Sequence, residues 1–148
     1  MAIFNYNDVD GGLLEEIQKA GYQVREIDGV MTSTNDVAVQ AIIDSYDPLP
    51  YAKKLKRAEL RTEYRNRLIL IYPDAEEMTE SHFDVVIDIG FDVFRSVINA
   101  SRSPNADWQN VIDTRQARRA ARNDINALLT VEDIRAYDVV NTPAWPVI

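Results

Sequence analysis

The most constraining feature of this chain is a long stretch without breakers that follows residues 47–50, Asp-Pro-Leu-Pro. The two prolines lack backbone donors and bias the residues before them towards extended geometry. From Tyr51 to Tyr72 no glycine or proline occurs, and strong helix formers dominate. The pattern therefore predicts one helix over Tyr51–Tyr72, about 33 Å long. A domain boundary is predicted at the prolines, between an N-terminal α/β attachment module (residues 1–49) and a second domain (residues 50–148).

The first 49 residues carry the signals of a small α-β-β-α module. Apolar residues at helical spacing predict a helix over Leu13–Ala20, and Gly21 is the left-handed residue typical of a helix end. Residues 28–29, Asp-Gly, separate two runs that favour β-structure and so predict a two-stranded hairpin. Asn35 is the predicted N-cap of a second helix, which ends before the prolines.

Three more helices are predicted after Tyr72, over about residues 76–101, over residues 107–129 and, behind a capping box at Thr130, over residues 131–137. The last eight residues, 141–148, contain two prolines and predict an irregular tail. The predicted fold class is mainly α: a small N-terminal α-β-β-α module with a β-hairpin, followed by a three-to-four-helix bundle.

Composition and motif content argue against catalysis. The 148 residues are 46% hydrophobic and 27% charged, as in globular proteins. No cysteine is present, which excludes disulfides, thiolate ligands and cysteine nucleophiles, and His82 is the single histidine. The sequence contains no phosphate-binding loop, dinucleotide-binding glycine motif or nucleophile elbow. We therefore expect no enzyme activity, no catalytic residue, no metal ligand and no cofactor.

The sequence also predicts no membrane partner. The N-terminus has no basic segment followed by an apolar stretch, so it does not resemble a secretory signal. The longest apolar run, Leu68–Tyr72, is far shorter than the ~20 residues that a spanning helix needs.

Charge alternates in blocks along the chain. The net charge is -8, but basic residues dominate 51–72 and acidic residues dominate 73–100. On the two predicted helices these charges recur every four residues, and like charges at that spacing repel each other by a few tenths of a kcal/mol. An antiparallel arrangement of the helices would relieve the repulsion, within one chain or between subunits. The candidate interaction residues are Arg57, Arg61 and Arg65 on the basic helix and Asp84, Asp88 and Asp92 on the acidic one.

Two other interpretations of these charges are open. The acidic residues could form a carboxylate metal site, but helical di-iron sites also need Glu-x-x-His motifs, and His82 lies on another face from Asp84. The basic helix could follow a phosphate backbone, with Tyr51 and Tyr64 stacking on bases. However, its charges surround the helix and acidic blocks flank it. The sequence therefore disfavours a nucleic-acid partner.

Apolar positions predict contacts beyond a two-helix hairpin. On the predicted helix over residues 76–101, the apolar face around Gly90 is wider than one neighbouring helix can cover, which implies a third helix or a second subunit. Trp145 is interpreted as an anchor at the edge of the core and is included among the candidate interaction residues. We expect a homo-oligomer.

Two segments carry a family resemblance. They are residues 39–49, Val-Gln-Ala-Ile-Ile-Asp-Ser-Tyr-Asp-Pro-Leu, before a lysine-rich helix, and residues 142–146, Thr-Pro-Ala-Trp-Pro. Together they resemble the pattern of small tailed-bacteriophage proteins that are usually encoded beside tail or tail-fibre genes. Where that group tends to have proline after a C-terminal Tyr-Asp pair, this chain has Val139.

The resemblance implies a non-enzymatic virion structural protein of the tail, baseplate or tail fibre, assembled in the host cytoplasm and bound to other virion proteins. A tail-fibre assembly chaperone, absent from the mature virion, is the alternative. A nucleic-acid-binding regulator that uses residues 51–67 is a further, less favoured one. The N-terminal module is the predicted attachment element, because unpaired strand edges can extend the sheet of a partner.

Overall fold

The computed structural model describes residues 4–5, 11–27, 30–71 and 106–148. The fold is mainly helical, with an antiparallel β-hairpin in an N-terminal module and a helical bundle after it, which confirms the predicted fold class. The predicted helix over residues 76–101, with Gly90 and His82, lies outside the described residues. The elements in chain order are β1 (Phe4–Asn5), α1 (Gly11–Lys19), β2 (Val24–Ile27), β3 (Val30–Ser33), α2 (Asp36–Ser45), α3 (Leu49–Ile71), α4 (Ala106–Ala127) and α5 (Val131–Ala136).

The chain forms two compact units. The first comprises Met1–Leu55 and Leu129–Arg135, and the second comprises Lys56–Leu128 and Ala136–Ile148. The start of α3 thus belongs to the first unit and the rest of α3 to the second. The boundary between two domains at residues 49 and 50 stays a prediction.

The first unit contains a three-stranded antiparallel sheet in the order β1-β3-β2. Ile27 pairs with Val30, so only two residues connect β2 and β3. This is the connection that Asp-Gly predicts for a hairpin, although residues 28–29 themselves lie outside the described part of the chain. Strand β1 was not predicted, because its two residues are too few to show an alternating pattern. It pairs directly with β3, although α1 and β2 separate the two strands in the sequence.

The end of α1 follows the prediction made from Gly21. This glycine has a φ of 84°, in the left-handed region. Its N–H donates to the carbonyl of Gln18 at 2.9 Å, and the N–H of Tyr22 donates to the carbonyl of Ile17 at 3.2 Å. These two bonds form a Schellman motif, which satisfies carbonyl groups that the helix end would otherwise leave without a donor.

Replacing Gly21 with alanine is expected to lower the free energy of unfolding by about 1 kcal/mol, because a Cβ atom is unfavourable at positive φ. Urea denaturation followed by circular dichroism measures the change. The control is Gly21→Asn, since asparagine tolerates the left-handed region better and should recover part of the loss. Equal stability of the wild type and the alanine variant would contradict this account of the helix end.

The core of the first unit lies between α1 and α2. Leu13, Ile17 and Val39 are buried in it, and half-buried apolar residues pack around them: Tyr22, Val24, Ile42, Ile43 and Tyr46. Gly12 allows α1 to approach Tyr51 closely, because a Cβ atom at this glycine would lie 2.7 Å from the Cβ of Tyr51. Helix α1 therefore begins where its first residues pack against Tyr51, two residues before the predicted start.

Local caps fix the ends of the neighbouring helices. The Asn35 side chain accepts from the N–H of Ala38 at 3.2 Å, which confirms the predicted N-cap of α2. Helix α3 begins at Leu49, because the Asp47 carboxylate accepts from the N–H of Leu49 at 2.9 Å. Pro50 fits in this first turn, where a backbone N–H has no partner within the helix. The Thr130 side chain caps α5 by accepting from the N–H of Asp133 at 3.1 Å.

The core of the second unit lies between α3 and α4. Its cluster contains Leu60, Ala121 and Ile125, against which half-buried residues of the C-terminal segment pack: Tyr137, Val139 and Trp145. Further along the same two helices, other side chains are also buried: Tyr64, Leu68, Val111 and Thr114. None of the described helices combines the length and apolar composition that crossing a membrane requires.

Candidate interaction sites

The three candidate arginines of α3 lie in different surroundings. Arg57 donates through Nη1 to the side-chain oxygen of Asn126 on α4 at 3.2 Å. Arg61 is exposed, whereas Arg65 is half-buried. The acidic residues predicted to face them lie outside the described residues: Asp84, Asp88 and Asp92. The pairing of the two charged stripes therefore stays a prediction.

Trp145 lies at the edge of the second unit's core, with one ring face towards α3. The guanidinium carbon of Arg67 is 4.9 Å from the centroid of the indole, within the range of a cation–π interaction. The indole Nε1 donates to the carbonyl of Val139 at 3.0 Å. The ring is therefore held by packing, by a cation and by a hydrogen bond within the C-terminal segment.

Arg67 connects this segment to α3. Its Nε donates to Glu63 at 2.7 Å, one helical turn earlier, and its Nη2 donates to the carbonyl of Val140 at 3.3 Å. The ion pair with Glu63 is largely shielded from solvent. Because Glu63 orients the guanidinium, Arg67 can contact both Trp145 and the backbone at Val140. In the sequence, Arg67 is only one of several basic residues of α3.

A turn centred on Asp138 determines the course of the C-terminal segment. The carboxylate accepts from the N–H of Val140 at 2.9 Å, from the N–H of Asn141 at 3.2 Å and from the Asn141 side chain at 2.7 Å. The hydrogen bond from the Asn141 side chain, followed by those from the two backbone amides, holds the pKa of Asp138 below its usual value. The turn is thus stabilised by the ionised carboxylate.

Replacing Asn141 with alanine is expected to raise the pKa of Asp138, because it removes the hydrogen bond that lowers this pKa most. A lowered folded-state pKa means that the carboxylate stabilises the fold above its unfolded pKa and that this contribution is lost as pH falls through the folded value. Carboxyl-detected NMR titration measures the pKa. The control is Thr142→Ala, since Thr142 bonds this turn only through its backbone N–H. An unchanged pKa in the Asn141 variant would contradict the account.

The two tyrosines considered for base stacking both pack against other residues of the chain. Tyr64 is 2% exposed, and the guanidinium carbon of Arg118 lies 4.5 Å from the centroid of its ring. Tyr51 is half-buried and packs on the start of α1, and Lys54 Nζ lies 5.4 Å from its ring centroid. Tyr64 is therefore closed to a nucleobase, which weakens the nucleic-acid interpretation of the basic helix.

An ion pair joins α1 to the start of α3 within the first unit. Lys54 Nζ donates to both carboxylate oxygens of Glu15, at 2.8 and 3.0 Å. The hydrogen bond lowers the pKa of Glu15 and raises the pKa of Lys54. Both groups face solvent, so the pair fixes the position of the two side chains more than it stabilises the unit.

The hydroxyl of Tyr137 is buried in the second unit. In the described part of the chain it has no hydrogen-bond partner of acceptable geometry. Burial raises the pKa of this phenol, and the negative charge of Asp124 raises it further. The phenol therefore stays protonated at neutral pH, and it serves the packing of the C-terminal segment on the core.

Several of these contacts join distant parts of the chain and leave no local signal in the sequence. Arg67 and Trp145 are an example. The turn at Asp138 is different, because an aspartate that bonds the backbone two and three residues later is a local motif that its spacing to Asn141 could have indicated.

No protein-family model, curated protein or solved structure matches this chain. Over the described ranges, no three histidine or carboxylate side chains lie together in a group that could hold a metal ion. The acidic stripe considered for a metal site lies outside these ranges.

Proposed function

We propose that this chain is a non-enzymatic structural protein of a tailed-bacteriophage virion, associated with the tail, baseplate or tail fibre. In this proposal it binds other virion proteins and is assembled in the host cytoplasm. The observation that supports the proposal most is the location of the two segments that resemble the phage group. Each contains residues that pack in a core or cap a helix.

The first segment, residues 39–49, connects the core of the first unit to the start of α3. Val39 is fully buried, and Tyr46 packs against the same cluster. Asp47 caps the first turn of α3 through the N–H of Leu49. The resemblance therefore covers residues on which the architecture depends.

The second segment, residues 142–146, holds the C-terminal end of the second unit. Thr142 donates its N–H to the carbonyl of Asp138 at 3.0 Å, and Trp145 packs against the core. A shared pattern made of core and capping residues implies a shared architecture. Such a pattern suits a protein whose task is to present surfaces to its neighbours.

Mass spectrometry of virions purified on a density gradient tests the proposal. We expect peptides of this chain in the particles, in a constant ratio to a tail protein, and the ratio should survive a high-salt wash. The control is a host cytoplasmic protein of similar abundance in the lysate, which should be lost on purification. If the chain is present in infected cells but missing from the particles, the structural role is wrong and the assembly chaperone takes its place.

A further inference from the structure

The sheet of the first unit has one outer strand long enough to receive another strand. In the sheet order β1-β3-β2, strand β2 pairs on one side with β3, and no described residue pairs with its other side. The opposite outer strand, β1, has only two residues. An unpaired edge of this kind can accept an extended segment of another chain.

The register identifies the backbone groups that face this edge. In a hairpin with a two-residue connection, the closing pair is hydrogen-bonded in both directions, and bonded pairs then alternate with non-bonded ones. Ile27 and Val30 form the closing pair, so Arg25 with Thr32 is the next bonded pair. The N–H of Thr34 donates to the carbonyl of Gln23 at 3.2 Å, as this alternation requires. The N–H and C=O groups of Val24 and Glu26 therefore point away from β3.

A charged side chain lies in the middle of the same edge. Val24 packs against the core between α1 and α2, and Arg25, the next residue, is exposed. None of the ion pairs between described residues includes Arg25. An acidic residue directly across from it on an incoming strand would therefore add a favourable cross-strand pair.

The same arginine disfavours a second copy of this chain as the incoming strand. Two copies of β2 could pair over the whole ladder from Gln23 to Ile27 if Val24 of one copy bonds Glu26 of the other. This antiparallel register would place the two Arg25 residues directly opposite each other. Like charges in that position destabilise the pair of strands. In this register the edge is thus protected against self-association, and its charge suits a partner with an acidic residue.

We propose that the edge of β2 binds an extended segment of another virion protein in antiparallel orientation, with an aspartate or glutamate of that segment opposite Arg25. This inference rests on the proposed function, and it specifies the element that attaches the chain to its neighbours. The backbone groups of Val24 and Glu26 supply the hydrogen bonds, and Arg25 supplies selectivity for the partner.

The proposal can be tested on the full chain with two fluorescein-labelled octapeptides of alternating valine and threonine. One peptide has a central glutamate and the other a central lysine. Fluorescence anisotropy should show about fivefold tighter binding of the glutamate peptide. The Arg25→Glu variant should reverse this preference. Binding of neither peptide, or equal binding of both, would overturn the proposal.

Amide hydrogen exchange locates the contact. In the free chain the amides of Arg25 and Ile27 should be protected and those of Val24 and Glu26 should exchange quickly. The glutamate peptide at saturation should slow exchange at Val24 and Glu26 by about tenfold or more. If these two amides become protected as the chain is concentrated without peptide, the partner is a second copy and our assignment is wrong.

A proline substitution tests the backbone contribution. Glu26→Pro removes an amide that points to the edge and spares the ladder with β3, so it should abolish peptide binding. Glu26→Ala is the matched control, because it changes the same side chain and keeps the amide. Equal binding by the two variants would contradict the proposed bonds. These results are independent of the virion measurement: the chain could be found in particles and still not bind through β2.

Discussion

Leu68→Ala is expected to lower the free energy of unfolding by about 2–5 kcal/mol, the usual range for a leucine truncated in a packed core. Leu68 lies on α3 in the second unit and is 1% exposed. Alanine would leave a cavity among side chains that can relax only in part, so the loss includes a cavity contribution as well as the lost transfer of apolar surface. Urea denaturation of the purified variant measures the change.

Leu70→Ala is the matched control, two residues later on the same helix. Leu70 is 68% exposed, so the same chemical change there should alter the free energy of unfolding by no more than about 0.5 kcal/mol. A loss of similar size in both variants would mean that α3 does not present the faces described above. A Leu70 variant that is stable but poorly incorporated into particles would instead identify an exposed contact with a partner.

Trp145→Ala is expected to lower the free energy of unfolding by about 2–3 kcal/mol, somewhat less than for a fully buried tryptophan. The change removes packing on the core, the contact with Arg67 and the hydrogen bond to Val139. Denaturation followed by circular dichroism measures it, because the substitution also removes a fluorophore. Trp145→Phe keeps an aromatic ring but loses the Nε1 donor and part of the packed ring surface, so it should cost about 1–2 kcal/mol.

The same variants distinguish an anchor from a binding residue. If Trp145 mainly holds the C-terminal segment, Arg67→Ala and Trp145→Ala should lose less together than the sum of their separate losses, by about 0.5–1 kcal/mol. If Trp145→Ala is as stable as the wild type but is missing from particles, the tryptophan acts on a partner, and the packing described here contributes little.

The elements that could be predicted from the sequence are those with local causes. The absence of breakers over residues 51–72 predicts α3, and Asn35 and Thr130 predict the caps of α2 and α5 through bonds that span three residues. The Asp-Gly pair predicts the hairpin. Strand β1 could not be predicted, because its two residues gain their conformation only from pairing with β3.

The candidate interaction residues show the same division. Trp145 could be placed at the edge of a core, since a large apolar ring with a polar N–H suits such a position. Its partner Arg67 could not be chosen among the basic residues of α3, because that choice depends on how the C-terminal segment returns to this helix. The pairing of Arg57, Arg61 and Arg65 with the acidic stripe remains a prediction.

The first unit is formed by two separate stretches of the chain, which constrains the order in which it can fold on the ribosome. This unit takes Leu129–Arg135 in addition to Met1–Leu55, so its last part emerges only after the intervening residues have been translated. At ordinary elongation rates this delay is about 4 to 15 s. During that time the nascent hairpin lacks the last residues of its unit, 129–135. This interval gives a chaperone time to bind the emerging polypeptide.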